Sequence, residues 1–311
     1  MFTSERRSKE WIKDRLSFEE LVLSEFVPYF KIKMIEQSDD FLSHINEETL
    51  GIGFGEDWTF SRTIIDRFHG RLVDLMGIRL PQYRGGAHYS WQILRKNRIG
   101  ACHLQLINEE MVQGKFDSGE IIRSKEYMFP DAAMKPKDYF ATALREELAF
   151  LQEFVEDLEK GVTFSKMPIP ENFSMFFPRL YTPKHGWIDW SWGTEDIALF
   201  VRAFDDPYAG ASTYLGRQMV RIKDVRVEYG DGPFHPFQAG LIYRKTNNAI
   251  FVATKDGTLI IRQILNVDGD SIFKEVKVGE RLFTPSKKLE EAITFSAEYD
   301  TDGIKLEKEG V

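Results

Sequence analysis

The stretch 72–86, LVDLMGIRLPQYRGG, decides how the first half of the chain is interpreted. Residues 72–76 form a short run that is apolar except for Asp74, and such a run is typical of a buried strand. In 80–86 a proline and two adjacent glycines argue against regular structure, so a loop should follow the strand. The carboxylate of Asp74 is therefore expected near the end of a buried strand, where it either serves a site or caps the loop.

Strand and helix patterns alternate on both sides of this stretch. Strands are predicted at 31–35, 50–55, 72–76, 101–107 and 120–128, and helices at 39–45, 63–68 and 88–95. Asp39 or Asp40 is the expected N-cap of the helix at 39–45. Such alternation is typical of an α/β domain with a mostly parallel, Rossmann-like sheet.

The clearest helix pattern covers residues 137–160 and stops at Gly161. Apolar residues recur there at steps of three and four, which predicts that they form the buried face. They are Phe140, Leu144, Leu148, Leu151, Val155 and Leu158.

The composition changes after this helix. Several prolines lie within 163–186, and this composition predicts a linker after a first domain at 1–162. Beyond it, a helix is predicted at 194–204 with Thr194 as its N-cap. Short alternating strands are predicted at 220–227, 239–243, 250–253, 259–264 and 271–276. Tight turns between them indicate a small antiparallel, OB-like barrel at 187–295, followed by a polar tail at 296–311.

Composition restricts the class of protein. The 311 residues carry a formal charge of −8, which argues against an extended nucleic-acid groove. The single cysteine, Cys102, excludes an internal disulfide and is expected to be a small core residue. No run of about 18 apolar residues is present, so no membrane association is expected and a cytoplasmic location is the default.

Several motifs, taken in order, resemble the formyltransferase family of methionyl-tRNA and amino-sugar N-formyltransferases. In that family a strand ends in Asn-x-His, a Leu-Pro-x-Tyr-Arg-Gly loop follows, and an Asp-x-Gly-[Asp/Glu] turn comes later. The matching segments here are 74–76, 80–86, 117–120, 51–58, 188–190 and 202–211. The family also begins with a complete strand–helix unit before the position of residues 2–4. We therefore expect either a truncated start or a reorganised first domain.

The resemblance implies a mechanism. A primary amine attacks the formyl carbon of 10-formyltetrahydrofolate, and a tetrahedral intermediate with an oxyanion forms. The family's Asn and His donate hydrogen bonds to that oxyanion, and its Asp helps to move the proton. Carried over, Asp117 matches the family's Asp, whereas Asp74 stands at the Asn position and Met76 at the His position. His88 is a candidate substitute for the acid–base group, with a structural role at the start of its helix as the alternative.

The resemblance also implies binding residues and no metal. Candidates for the folate side are Gly53, Phe54, Gly55, Trp58 and Asn108, and those for the acceptor are Tyr83 and Arg84. A basic stretch is formed by Arg217, Arg221, Lys223 and Arg226. It is expected to be a solvated strand face, with a binding site for a tRNA or nucleotide phosphate as the alternative. His69 and His103 are expected to be surface or strand residues.

Three functions remain open. The first is formylation of a small-molecule amine, an amino sugar linked to a nucleotide. The second is formylation of methionyl-tRNA, which needs a basic surface. The third is a catalytically impaired homologue that keeps a ligand-binding scaffold, and its motivation is the pair Asp74 and Met76. A homodimer is possible in each case.

Overall fold

A computed structural model describes residues 1–9, 11–13, 16–55, 60–112, 118–300 and 303–305. Two compact units are present. The first contains Met1–Gln82, Ala101–Glu126 and Glu146–Ser174, and the second contains Tyr83–Gly100, Tyr127–Arg145 and Met175–Val311. Within the part of the chain that is described, no helix is both long and apolar enough to cross a membrane.

The strands are β1 (Phe2–Thr3), β2 (Trp11–Lys13), β3 (Leu16–Ser17), β4 (Phe30–Lys31), β5 (Gly51–Gly53), β6 (Leu72–Met76), β7 (Arg84–Gly85), β8 (Ile99–Leu106), β9 (Ile121–Met128), β10 (Phe176–Phe177), β11 (Ala211–Leu215), β12 (Gln218–Glu228), β13 (Ile242–Lys245), β14 (Ile250–Ala253), β15 (Thr258–Leu265), β16 (Leu282–Phe283), β17 (Glu298–Asp300) and β18 (Gly303–Lys305). The α-helices are α1 (Glu5–Ser8), α2 (Phe18–Ser24), α3 (Asp39–Ser43), α4 (Arg62–Arg67), α5 (His88–Leu94), α6 (Glu109–Val112), α7 (Pro136–Glu159), α8 (Thr182–His185), α9 (Thr194–Ala203) and α10 (Ser286–Thr294). Short 3₁₀ turns cover Ile35–Gln37, Glu171–Phe173 and Pro236–Gln238.

The sheet of the first unit has the order β5-β6-β8-β9. Strands β5 and β6 are parallel and are connected through α4, whereas β6 and β8 are antiparallel. Leu72, Val73 and Leu75 of β6 are buried at 4%, 1% and 6% exposure, as the apolar pattern predicted. The α/β class is thus confirmed, with a sheet that combines parallel and antiparallel pairs.

The apolar face predicted for α7 is wrong. Phe140, Leu148 and Val155 are 58%, 50% and 41% exposed, and Leu144 and Leu158 are exposed as well. The large apolar side chains that are buried are Tyr139, Phe150 and Phe154, together with Ala143. Both sets recur at steps of three, four or seven, so both satisfy the 3.6-residue period. The set that contains three aromatic rings is buried, since each ring removes more apolar area from water.

The sheet of the second unit has the order β13-β14-β15-β12-β11-β16, and each neighbouring pair of strands in it is antiparallel. Helix α9 packs on β12 and β15, with Ile197 and Val201 fully buried. The small antiparallel β domain predicted for this half, expected as an OB-like barrel, is confirmed as a curled antiparallel sheet. The strand predicted at 271–276 is wrong, because only Ser271 makes a bridge, to Leu265, before the chain turns.

Two predicted helix caps are also wrong. Ser38, and not Asp39 or Asp40, is the N-cap of α3, since its side chain accepts a hydrogen bond from the N–H of Phe41. Gly193 holds the N-cap position of α9, and Thr194 is its first residue. The Thr194 hydroxyl donates to Asp256 Oδ1 at 2.6 Å, so its hydrogen bond connects α9 to the turn before β15.

Residues 163–186 contain more structure than a linker pattern suggests. Strand β10 pairs in parallel with β7, so part of the 80–86 loop is a short strand. Gly85 has φ +104°, and a Cβ at this position would lie 2.1 Å from the carbonyl oxygen of Phe177. Only glycine is therefore compatible with this pairing. The domain limits 1–162, 163–186, 187–295 and 296–311 remain predictions from the sequence.

Candidate functional site

Asp74 is the third residue of β6, a strand with a neighbour on each side in the sheet of the first unit. Gly53 of β5 is its partner on one side and Gln105 of β8 is its partner on the other. Two residues further along β6, Met76 is paired with His103 of β8. Because side chains alternate along a strand and directly paired residues share a face, Asp74, Met76, Gln105 and His103 lie on one face. This face is the candidate site.

Gln105 holds the residues that follow the predicted catalytic Asp117 in the sequence. Its side chain is fully buried, and Nε2 donates to the carbonyl oxygen of Gly119 at 2.9 Å. The N–H of Leu106 donates to the carbonyl oxygen of Glu120 at 2.9 Å. A Cβ on Gly119 would lie 1.8 Å from the carbonyl oxygen of Leu106, so no larger residue fits. Asp117 itself lies outside the described residues.

Asn108, predicted on the folate side, follows directly after β8. Its Oδ1 accepts a hydrogen bond from the Ser118 hydroxyl at 3.4 Å. This contact adds a third connection, after those of Gln105 and Leu106, between the end of β8 and residues 118–120. Asn108 therefore belongs to the same end of the sheet as Gln105.

Met76 lies at the end of β6 and is half-buried. It packs against an apolar cluster of Ile78, Leu80, Ile121 and Ile169. Its thioether has no N–H or O–H, and hence this position supplies no hydrogen-bond donor.

His103 is a residue of this face that was not selected from the sequence as a site residue. It is 4% exposed, and its Nε2 accepts the N–H of Leu80 at 3.3 Å. Burial lowers the pKa of the imidazole from 6.5 to about 4, although the nearby Glu126 raises it slightly. The signal in the sequence is the polar pair His103 and Gln105, two residues apart in an otherwise apolar strand.

Gly53, Phe54 and Gly55 form the end of β5 and the turn after it. Gly55 has φ +58°, and its carbonyl oxygen accepts Arg7 Nη2 at 2.9 Å. Phe54 is 51% exposed, so its ring is available to stack on a planar ligand. Trp58, the fourth candidate from this segment, lies outside the described residues.

Tyr83 and Arg84 belong to the second unit. Tyr83 is 2% exposed, and its hydroxyl accepts Asn97 Nδ2 at 2.8 Å. Its ring is stacked on that of Phe177 with centroids 5.2 Å apart. Packing explains Tyr83 fully, and a role in acceptor binding remains a prediction for both residues.

His88 also belongs to the second unit and begins α5. Its ring is half-buried and lies edge-on to Tyr89, with centroids 4.5 Å apart. Burial lowers the pKa of His88 to about 4, so the imidazole is neutral at physiological pH. A catalytic role for it remains a prediction.

The basic stretch at 217–226 is not a solvated face throughout. Lys223 is 7% exposed and pairs with Asp206, and its Nζ donates to the carbonyl oxygen of Tyr208 at 2.9 Å. Lys135 also pairs with Asp206, at 2.6 Å. Hydrogen bonds from Lys135 and Lys223 hold the pKa of Asp206 at about 2. Lys223 therefore has a structural partner, and for this residue the prediction of a solvated cation is wrong.

The candidate face has hydrogen-bonding capacity that the described residues do not use. Gln105 Oε1 and His103 Nδ1 are buried and have no hydrogen-bond partner among the described residues. Buried polar atoms are normally paired, so an acceptor and an imidazole nitrogen left over on one face indicate a polar ligand. No group of three or more His, Cys, Asp or Glu side chains within the described ranges is placed to hold a metal ion.

Comparison with known proteins relates the second half of the chain to a family by sequence and most of the chain to solved structures by fold. Residues 181–274 match the family model described as "Formyl transferase, C-terminal domain". A methionyl-tRNA formyltransferase of Acetivibrio thermocellus is 25% identical over 197 residues, covering 62% of this chain and 58% of that protein. The chain thus spans little more than half the length of this curated relative.

Two solved structures share the fold. One is WlaRD, a sugar 3N-formyltransferase solved in the presence of dTDP and 5-N-formyl-THF, with TM-score 0.60 and 16% identity over 85% of this chain and 87% of that one. The other is an N-formyltransferase from Helicobacter canadensis in complex with folinic acid and dTDP-3-aminofucose. Its TM-score is 0.57, with 14% identity over 81% of this chain and 84% of that one.

Residues 181–274 thus match the C-terminal domain of formyl transferases in sequence. The mixed α/β sheet and the curled antiparallel sheet resemble the fold of solved formyltransferases.

Proposed function

We propose that this protein transfers a formyl group from a 10-formyl folate to a primary amine, and that the amine belongs to an amino sugar carried on a nucleotide. One observation carries the proposal: Asp74 is aligned between Gly53 and Gln105, and Gln105 binds Gly119, two residues after Asp117. Asp74, Gln105 and the described residue Gly119 therefore lie near one another in the sheet, and this supports a site at Asp74.

The reaction exchanges one C–N bond for another. The amine nitrogen of the acceptor bonds to the formyl carbon, the bond from that carbon to N10 of the folate breaks, and a proton passes from the amine to N10. Negative charge develops on the formyl oxygen during the exchange, so donors aimed at that oxygen increase the rate. A carboxylate near the amine can take its proton directly or through water.

Two observations support a sugar nucleotide as the acceptor. Both structural neighbours described above act on sugars and cover more than four fifths of this chain. The formal charge of −8 disfavours a polyanionic tRNA, which is bound through many Lys and Arg contacts.

Formylation of methionyl-tRNA is the second candidate, and the curated relative of Acetivibrio thermocellus favours it. It differs from the first in its salt dependence. Affinity for tRNA should fall steeply as salt is raised, whereas affinity for one sugar nucleotide should change little.

The test mixes the purified protein with 10-formyltetrahydrofolate and a panel of dTDP-linked 3-amino and 4-amino sugars, with methionyl-tRNA in parallel. We expect release of tetrahydrofolate with at least one sugar and none with tRNA. Asp74→Ala removes a carboxylate that can take the proton of the amine, so it should lower kcat by about 10²-fold. Asp40→Ala, at an exposed position of α3, serves as the control and should leave it unchanged. Turnover with tRNA alone would replace the proposal by the second candidate, and no turnover with any acceptor would leave the ligand-binding homologue.

A further inference from the structure

Met76, which has no hydrogen-bond donor, lies beside the imidazole of His103. Met76 and His103 are direct partners in the antiparallel pairing of β6 with β8. Directly opposed side chains in an antiparallel pair have Cβ atoms about 4.5–5.5 Å apart and point to the same face. The thioether of Met76 and the ring of His103 therefore occupy adjacent places on the Asp74 face.

A backbone contact selects the tautomer of His103. The N–H of Leu80 donates to Nε2 at 3.3 Å, and this nitrogen must therefore carry a lone pair. Burial lowers the pKa of the ring to about 4, so the ring is neutral near pH 7. In a neutral imidazole with an accepting Nε2, the proton is on Nδ1. Nδ1–H is thus a donor.

This donor has no acceptor within the described ranges. His103 is 4% exposed, so bulk water does not serve it freely. An unsatisfied buried donor destabilises the protein, and a ligand atom that accepts its hydrogen bond removes this cost. The side chains that cluster with Met76 are apolar, namely Ile78, Leu80, Ile121 and Ile169. A bound molecule is then the natural source of the acceptor.

We propose that His103 supplies, through Nδ1–H, the hydrogen bond to the formyl oxygen that Met76 cannot supply. This inference rests on the proposed function, because the formyl oxygen is that of the folate donor. The donor has in effect moved from the end of β6 to the adjacent residue of β8. The imidazole stays neutral throughout, and only the hydrogen bond strengthens as negative charge develops on the oxygen.

A direct test observes the ring without turnover. The protein is labelled with ¹⁵N-histidine, and the resonances of His103 are assigned by comparison with His103→Asn. 5-Formyltetrahydrofolate, a stable formyl folate, is then added. We expect the free protein to show the Nδ1–H tautomer, and the bound protein to show a shifted Nδ1 resonance with a slowly exchanging proton. A His103 ring that is protonated, or unchanged while the folate binds, refutes the proposal.

Two substitutions separate the nitrogens. Asparagine places its amide near the position of Nδ1, whereas glutamine reaches the position of Nε2 and can still accept the N–H of Leu80. His103→Gln should therefore lower kcat by about 10²-fold or more, with KM for the folate little changed. His103→Asn should lose less. His69→Asn, at an exposed turn, is the matched control and should retain full activity. Equal losses in the Asn and Gln variants, in step with their melting temperatures, would indicate a merely structural role.

A rescue variant provides the independent check. Met76→His in the His103→Gln background restores a donor at the position where the family has its histidine, so activity should rise again. Failure of the proposed function looks different from failure of this inference. If the parent protein binds no formyl folate, both fail. If the parent turns over and His103→Gln is as active as the parent, only the role of His103 is wrong.

Discussion

Helix α7 offers a quantitative test of which face of a helix is buried. Phe154 is 1% exposed, and its ring centroid lies 5.0 Å from that of Phe164. Truncating such a residue to alanine removes the transfer free energy of the ring and leaves a cavity. Phe154→Ala should therefore lower the free energy of unfolding by about 3–5 kcal/mol.

Leu148 on the same helix is the matched control. Its side chain is 50% exposed, so it contributes about half of the roughly 1.5–3 kcal/mol of a fully buried leucine. Alanine recovers a few tenths of a kcal/mol through its helix propensity, so Leu148→Ala should cost about 1 kcal/mol or less.

Urea unfolding followed by far-UV circular dichroism measures both variants. With a slope near 3 kcal/mol per M, the two midpoints should differ by roughly 1 M. Equal losses, or a larger loss for Leu148→Ala than for Phe154→Ala, would refute the burial pattern and restore the face predicted from periodicity.

Three further outcomes follow from single contacts. Hydrogen bonds from two lysines lower the pKa of Asp206 from 3.8 to about 2. The stability that Asp206 contributes is therefore present above pH 3.8 and is lost as the pH falls towards 2. Asp206→Asn should flatten this part of a plot of melting temperature against pH. Gly119→Ala puts a methyl group 1.8 Å from the Leu106 carbonyl oxygen, so both melting temperature and formyl transfer should fall, and unchanged values of both would contradict the packing. Cys102 is fully buried with a pKa raised to about 12 by burial, so Ellman's reagent should leave the native thiol unmodified and should modify one equivalent per chain after unfolding.

The pattern of neighbouring residues in the sequence was sufficient to predict β6, which carries Asp74 and Met76, and α5, which begins at His88. The strand predicted at 72–76 is β6, and the helix predicted at 88–95 is α5 within one residue. Short apolar runs bounded by turn residues and clear helical spacing depend on neighbouring residues alone. The burial of Cys102 was predicted for the same reason and is confirmed.

Non-local pairing limited the prediction of the site. The pattern of β8 does not reveal whether it runs parallel or antiparallel to β6, and that direction brings His103 beside Met76. The face of α7 failed for a related reason, because two residue sets fit the same helical period and tertiary packing selects between them. The short β7–β10 pair inside predicted loop and linker segments likewise depends on residues about 90 positions apart in sequence.

The interleaving of the two units has a consequence for synthesis. The first unit is made of 1–82, 101–126 and 146–174, so it cannot be completed on the ribosome until residue 174 has emerged. By then the segments 83–100 and 127–145 have already emerged, whereas 175–311, the rest of their own unit, has not. Those segments carry Tyr83, Phe129 and Tyr139, all of which are buried in the finished protein. In the nascent chain these large aromatic side chains therefore lack their final packing partners while residues 175–311 are being translated, and exposed apolar surface of this kind favours aggregation.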